Sequence, residues 1–314
     1  MRATMLHRDM IVVGASAGGV ETLKRLVAQL PADLPASIFV VLHMAANDPG
    51  YLPAILSSAG PFVAKLAEQG QPIRHGQITI APPDKHLLLK NDQLLLARGP
   101  RENRSRPAID PLFRSAAAAY STRVIGVLLS GLLDDGLSGM AAIRRCGGIT
   151  IVQDPDDATY PELPRNAIEA GVVDYRLPVA EMGALISQLV QVPVAAPGVV
   201  PEDIALEAAM AERAMSDVPS EERLGDMAPL SCPECGGPLW RIDDATVRRY
   251  RCHVGHGYTA RTLLSEQGIE VERALWIALR TMEERARLLS SLGQDEQNRG
   301  DMTSAEVYRD RSHE

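Results

Sequence analysis

Four short runs of apolar, largely β-branched residues constrain the fold more than any other feature of this chain. They are MIVVGAS (10–16), SIFVVLHM (37–44), RVIGVLLSG (123–131) and GGITIVQD (147–154). They do not alternate apolar with polar residues, so each predicts a strand buried on both faces. Amphipathic stretches separate them. After the first run, Val20, Leu23, Leu26, Val27 and Leu30 recur at helical spacing. Strands of this kind alternating with helices predict an α/β fold: a doubly wound, mainly parallel sheet with helices on both faces. GQITIAPPDKHLLLKNDQLLLARG (76–99) differs, since two runs flank Lys90-Asn91-Asp92-Gln93 and predict an antiparallel hairpin.

Beyond residue 191 the character changes. Residues 192–230 are rich in Pro, Asp, Glu and Ser around a short Ala/Glu/Met helix pattern near 203–215, which reads as a linker. Residues 231–314 are expected to hold a small zinc-ribbon-like module and then an amphipathic helix striped with Leu275, Leu279, Met282, Ala286 and Leu289. Residues 1–191 would form the remaining domain.

Glycines bracket a serine where the first strand meets the first helix, in Gly14-Ala15-Ser16-Ala17-Gly18-Gly19. Such a turn serves either as a phosphate cradle or as a nucleophile turn of the G-x-S-x-G kind. A dinucleotide fold needs a carboxylate at the tip of the second strand. This chain has His43 there, a candidate general base. Asp135 lies in Ser130-Gly131-Leu132-Leu133-Asp134-Asp135-Gly136, after a third strand. It is either a triad acid or a helix cap, and Asp134 competes for both roles.

The order Ser, His, Asp resembles that of the bacterial chemotaxis methylesterases, the CheB catalytic domain. The motifs run in sequence: GAS16-GG, His43-Met44, IAPPDKHL (80–87), R104-x-RPAID-PLF, SG-x-x-x-D135-G and LPR-x-AI (163–168). The resemblance covers about residues 8–190. It implies a serine esterase with Ser16 as nucleophile, His43 as base and Asp135 as orienting acid. Backbone N–H groups of Leu132 and Ala17 would form the oxyanion hole. The implied reaction is hydrolysis of glutamate methyl esters on chemoreceptor-type proteins, with glutamine deamidation by the same acyl chemistry and no cofactor. Two departures stand out. Ala17 replaces a common Thr, and G131-L-L-D-D135-G replaces a common G-M-G-N-D-G, losing a glycine at 133 and gaining Asp134. The family's phospho-receiver domain is expected to be missing, because the resemblance starts near Met1.

Arg104 and Arg106, in a basic stretch with Arg98 and Arg101, are candidates for contacting an acidic protein substrate. The plain alternative is a solvated loop pairing with Glu102 and Asp110. Cys232-x2-Cys235 followed by Cys252-x3-His256 supplies four ligands for a closed structural zinc site, with His253 as alternate to His256. Such a staple is expected to be separable from the esterase. The net charge of −8 argues against nucleic acid as partner. No 18-residue apolar run predicts a membrane span, and the free-thiol pattern suits the cytoplasm. The apolar stripe of the last helix could seat a second copy of the chain. Two other readings remain: a receptor-binding or scaffolding relative without activity, and a nucleotide-binding protein.

Overall fold

The structure, a computed structural model, describes residues 6–196, 198–212, 225–243 and 246–313. β1 (Leu6–His7) leads into β2 (Met10–Ala15), α1 (Gly19–Val27), β3 (Ser37–Leu42), α2 (Leu52–Ala59), β4 (Val63–Leu66) and β5 (Gln77–Ile80). The expected hairpin follows as β6 (His86–Lys90) and β7 (Gln93–Ala97). Then come α3 (Ile109–Tyr120), β8 (Val124–Leu128), α4 (Leu137–Arg145), β9 (Ile149–Gln153), α5 (Glu162–Glu169), β10 (Tyr175–Leu177) and α6 (Val179–Gln191).

Seven strands form one parallel sheet in the order β10-β9-β8-β2-β3-β5-β4. Every residue of β2, β3 and β8 is buried, as continuous apolar runs require. Ile11 and Val13 face Leu23 and Leu26 of α1, Leu56 of α2 and Ile186 of α6. Met10 and Val12 face the opposite layer, with Phe113 of α3, Met140 of α4 and Leu163 of α5. Val20 lies outside the α1 stripe, being exposed. From β2 the chain passes to β3 on one side, and later sets β8 on the other. Open α/β sheets place ligands at such a switch, here the carboxyl ends of β2 and β8.

After α6, β11 (Pro193–Val194) pairs with β1, and α7 (Glu202–Ala211) buries Ile204, Glu207 and Met210. An antiparallel sheet follows: β12 (Gly225–Ser231), β13 (Pro238–Asp243), β14 (Arg248–Cys252) and β15 (Gly257–Thr259). α8 (Ala260–Arg299) and α9 (Met302–His313) complete the chain. The middle of the expected linker, 213–224, lies outside the described residues. The chain divides into two compact units, 1–263 and 264–314. The first unit thus includes the cysteine sheet as well as the parallel sheet. In the second, Ala305 of α9 is buried near Gly293 of α8. Leu275, Trp276, Leu279 and Met282 are exposed. Among the described residues no helix is long and apolar enough to cross a membrane.

A buried ion cluster joins three distant segments of the first unit. Glu102 and Arg114 pair with each other, Arg251 reaches Glu102 at 3.0 Å, and Glu207 takes Arg249 at 2.6 Å and Arg114 at 3.3 Å. All five side chains are at most 8% exposed. Burial alone would raise both carboxyls. The charges of Arg114 and Arg251 hold Glu102 well below its usual range, and Arg249 and Arg114 hold Glu207 at about 2. A depressed folded-state pKa contributes stability above the unfolded value and loses it as pH falls through the folded one. Thermal melts should therefore be flat above about pH 5 and fall steeply from the usual glutamate value of 4.5 toward 2. A Glu207→Gln variant should start less stable, yet lose less over that interval.

Candidate active site and metal centre

Strand register brings the first two expected residues side by side. Ala15 of β2 is paired with Leu42 of β3, and the His43 N–H donates to the Ala15 carbonyl at 3.1 Å. Ser16 and His43 are therefore the next residues along neighbouring strands, which run about 4.8 Å apart. From the other side, the Ser16 N–H donates to Ser130 O at 3.0 Å, just past β8. His43 Nε2 meets Asp135 Oδ2 at 2.6 Å. The ring nitrogen left over for Ser16 is Nδ1.

Asp135 is buried, and four groups serve its two oxygens. Oδ2 also accepts the Ile109 N–H at 2.6 Å; Oδ1 accepts the Asp110 N–H at 3.2 Å and Asn103 Nδ2 at 3.0 Å. The two N–H groups belong to the first turn of α3, where the helix dipole favours an anion. Burial works against the charge, but His43, Ile109 and Asn103 draw the carboxyl below its usual range. Asp110, 3.0 Å from the same Asn103 nitrogen, shifts upward because it is buried and faces the Asp135 charge. Asp134 is no partner of His43. Its carboxylate accepts Thr262 Oγ1 at 2.8 Å, and burial pushes its pKa up.

The loop from Ser130 to Gly136 presses on Ser16. A Cβ added at Gly131 would fall 2.9 Å from Ser16 Cβ and 2.7 Å from Leu163 Cδ2. Gly18, at φ +74, leaves no room for a side chain beside Ser130 and Tyr160. The Ser130 hydroxyl is itself occupied, donating to Ala17 O and accepting from Tyr160 N–H. Among the described residues, the N–H groups of Ala17 and Leu132 have no acceptor within the chain. Leu133 adopts φ +61, a left-handed conformation that costs an L-residue about 1–2 kcal/mol. Its carbonyl accepts Asn166 Nδ2 at 2.7 Å, and Asn166 in turn accepts from Arg261.

The arginines divide. Arg106 bonds Asp84 through Nε and Nη2 at 2.9 and 2.6 Å, and Gly99 O through Nη1 at 2.6 Å. Arg98 shares Asp84. Arg101 and Arg104 are exposed. The alternative of local pairing names the wrong carboxylates: Glu102 goes to Arg114 and Arg251, while Asp110 takes Asn103 and Gly139.

Cys232, Cys235, Cys252 and His256 lie with their ligand atoms within 4.8 Å of one another. Cys235 Sγ is 3.6 Å from Cys252 Sγ, and His256 Nδ1 is 3.7 Å from Cys232 Sγ and 3.5 Å from Cys252 Sγ. A tetrahedral ion with Zn–S about 2.3 Å and Zn–N about 2.0 Å requires ligand edges of roughly 3.5–3.8 Å, so the donor set fits. His256 Nε2 faces Glu234 Oε2 at 3.3 Å, the usual outer partner of a ligating imidazole. His253, the alternate ligand, packs on Gly237 instead.

Sequence reasoning missed Asn103, Thr259 and Thr262. Asn103 stands in the R104-x-RPAID neighbourhood, but nothing in one sequence marks it as the partner of Asp135, 32 residues away. Thr259 and Thr262 lie still farther along the chain, from where they reach Asn103 and Asp134.

A model of the CheB methylesterase family matches residues 11–186. The Thermotoga maritima CheB methylesterase catalytic domain superposes with a TM-score of 0.55 at 32% identity, over 59% of this chain and 100% of that one. A Leptospira interrogans protein is 37% identical over 59% of this chain and 97% of its own length. Its provisional name is protein-glutamate methylesterase/protein-glutamine glutaminase. An Anaeromyxobacter dehalogenans protein-glutamate methylesterase/protein-glutamine glutaminase is 37% identical over 58% of this chain. There the match spans about half the relative, 53%.

The close approach at Gly131 is testable without any substrate. Gly131→Ala must displace Ser16 or Leu163, and such overpacking costs about 1–3 kcal/mol. Differential scanning calorimetry should show Tm lowered by roughly 2–10 °C.

Proposed function

Because the chain belongs to the CheB methylesterase family, we propose that it hydrolyses glutamate methyl esters on chemoreceptor-type signalling proteins, and deamidates glutamines by the same route. The observation that carries this reading is the 2.6 Å contact between His43 Nε2 and a buried, ionised Asp135, one strand away from Ser16. In this scheme His43 Nδ1 takes the Ser16 proton as Oγ attacks the ester carbonyl. Asp135 fixes the imidazole tautomer and stabilises the imidazolium. The N–H groups of Ala17 and Leu132 receive the oxyanion. His43 then protonates the departing methanol. Water, deprotonated by His43, cleaves the acyl-serine to leave glutamate and free Ser16. No cofactor takes part.

The exposed Arg101 and Arg104 suit an acidic protein substrate, whereas Arg106 holds the loop through Asp84. Nothing in the scheme calls for nucleic acid, and a cytoplasmic setting supplies both the substrate and reduced thiols. The cysteine cluster is assigned to a structural zinc ion, since four protein ligands leave no position for water. The exposed Leu275, Leu279 and Met282 suit a second copy of the chain, to be checked by light scattering.

Methanol release from methylated receptor membranes tests the assignment. Ser16→Ala should lower it by about three orders of magnitude or more with Tm unchanged. Asp135→Asn should lose about 10⁴-fold, and Asp134→Asn far less; the reverse order would move the acid to Asp134. Metal analysis should find about one zinc per chain, falling to background in a Cys232→Ser, Cys235→Ser variant.

A further inference from the structure

The Asn103 carboxamide stands between the cysteine module and Asp135. Its Oδ1 accepts the Thr259 N–H at 3.0 Å, and its Nδ2 donates to Asp135 Oδ1 and Asp110 Oδ2, each at 3.0 Å. A backbone N–H can only donate, so it dictates which end of an amide faces it. With Oδ1 held at Thr259, Nδ2 must face the carboxylates. Turned over, the amide would set an oxygen against Asp135 and leave a buried N–H without an acceptor.

Asn103 is buried at φ +48, and Arg104 follows at φ +68, so two consecutive non-glycine residues hold left-handed backbone. The module holds them there. The Asn103 N–H donates to Gly257 O at 2.8 Å, and the Gly257 N–H donates to Arg101 O at 3.2 Å. Glu102 thus forms a single parallel bridge with Gly257 at the start of β15. Arg251 secures the same segment at Glu102, and Thr262 secures Asp134 next to the acid. β15 begins directly after His256. The turn before it is closed by the Cys252 N–H on His256 O at 3.0 Å and by the Gly255 N–H on Cys252 O at 2.8 Å. Two of the four clustered ligands therefore set where β15 starts.

We infer that Asn103 is a positioning residue for the Ser16 chemistry, and that a zinc ion on Cys232, Cys235, Cys252 and His256 keeps it in position through β15. This rests on the esterase reading above and deepens it: the module is part of the active site, not a separable staple. Metal loss lets β15 move, frees Thr259 from Asn103, and leaves Asp135 Oδ1 with only the longer Asp110 N–H bond. Turnover falls because the acid no longer holds His43. Substrate affinity changes little, since Asn103 and Thr259 are both buried and act through Asp135.

The test uses the full chain loaded with zinc, a small methyl ester as substrate, and hydrogen exchange as an independent readout. Chelation should release the Thr259 amide to exchange while β2 and β8 stay protected. It should lower kcat roughly 10- to 100-fold, the worth of one hydrogen bond to a charged group. KM should stay within about threefold, and added zinc should restore both readouts. Asn103→Ala, which keeps its zinc, should show the same fall in kcat and lose nothing more on chelation, because both changes break one link. Full kcat in the chelated protein with Thr259 exchanging freely overturns the proposal, as does wild-type kcat in Asn103→Ala. If the loaded wild type shows no Ser16-dependent turnover, the esterase reading fails instead. The exchange arm then still decides the link from metal to Asn103: a Thr259 amide that stays protected without zinc breaks it.

Discussion

A buried carboxylate survives as an anion only where donors replace the water it has lost, and Asp135 is where this molecule meets that demand. One donor comes from the residue after β3, two from the first turn of α3 and one from the segment before it. Much of the first unit can be understood from this requirement. α3 must aim its N-terminus at the end of β8, and α4 must pack on α3 closely enough that a Cβ at Gly139 would strike Phe113. Asp110, drawn into the same space, yields its charge so that Asp135 can keep its own.

The requirement also accounts for the odd conformations nearby. Asn103, Arg104 and Leu133 all have positive φ without being glycine. Each flanks the acid or its loop, and Asn103 and Leu133 are tied to residues beyond 250 directly or through one intermediate side chain. Backbone strain of this sort persists only when surrounding contacts overdetermine it. The cysteine module provides those contacts, and the five-membered ion cluster fastens it down. Removing one partner from such a cluster leaves an uncompensated buried charge, typically costing about 3–5 kcal/mol. The arrangement is therefore all or none.

The parallel sheet was legible because burial on both faces leaves a periodicity signature, and 10–15, 37–42 and 124–128 carry it plainly. The placement of Ser16 and His43 followed, since both end strands. Glu207 was not legible. It stands in the segment read as a linker, and its burial depends on Arg114 and Arg249, which lie 93 and 42 residues away. Asn103 was hidden for the same reason: its three side-chain partners come from 110, 135 and 259. Helix α9 escaped because its sequence has almost no apolar stripe. The expected separation of the cysteine module came from the Pro/Ser/Glu composition around it, and composition says nothing about contacts made after the chain turns back.

The contact from Arg251 to Glu102 spans 149 residues. Ring closure over that length comes late in folding, because loop entropy is lost before the contact can form. During synthesis the parallel sheet is complete once Leu177 has emerged, while Arg249 and Arg251 are still to be translated. The nascent chain thus passes through a stage in which its parallel sheet is finished but Glu102 and Arg114 have only each other. The ion cluster closes only when Arg249 and Arg251 arrive, so ribosome position keeps time for the assembly of the first unit.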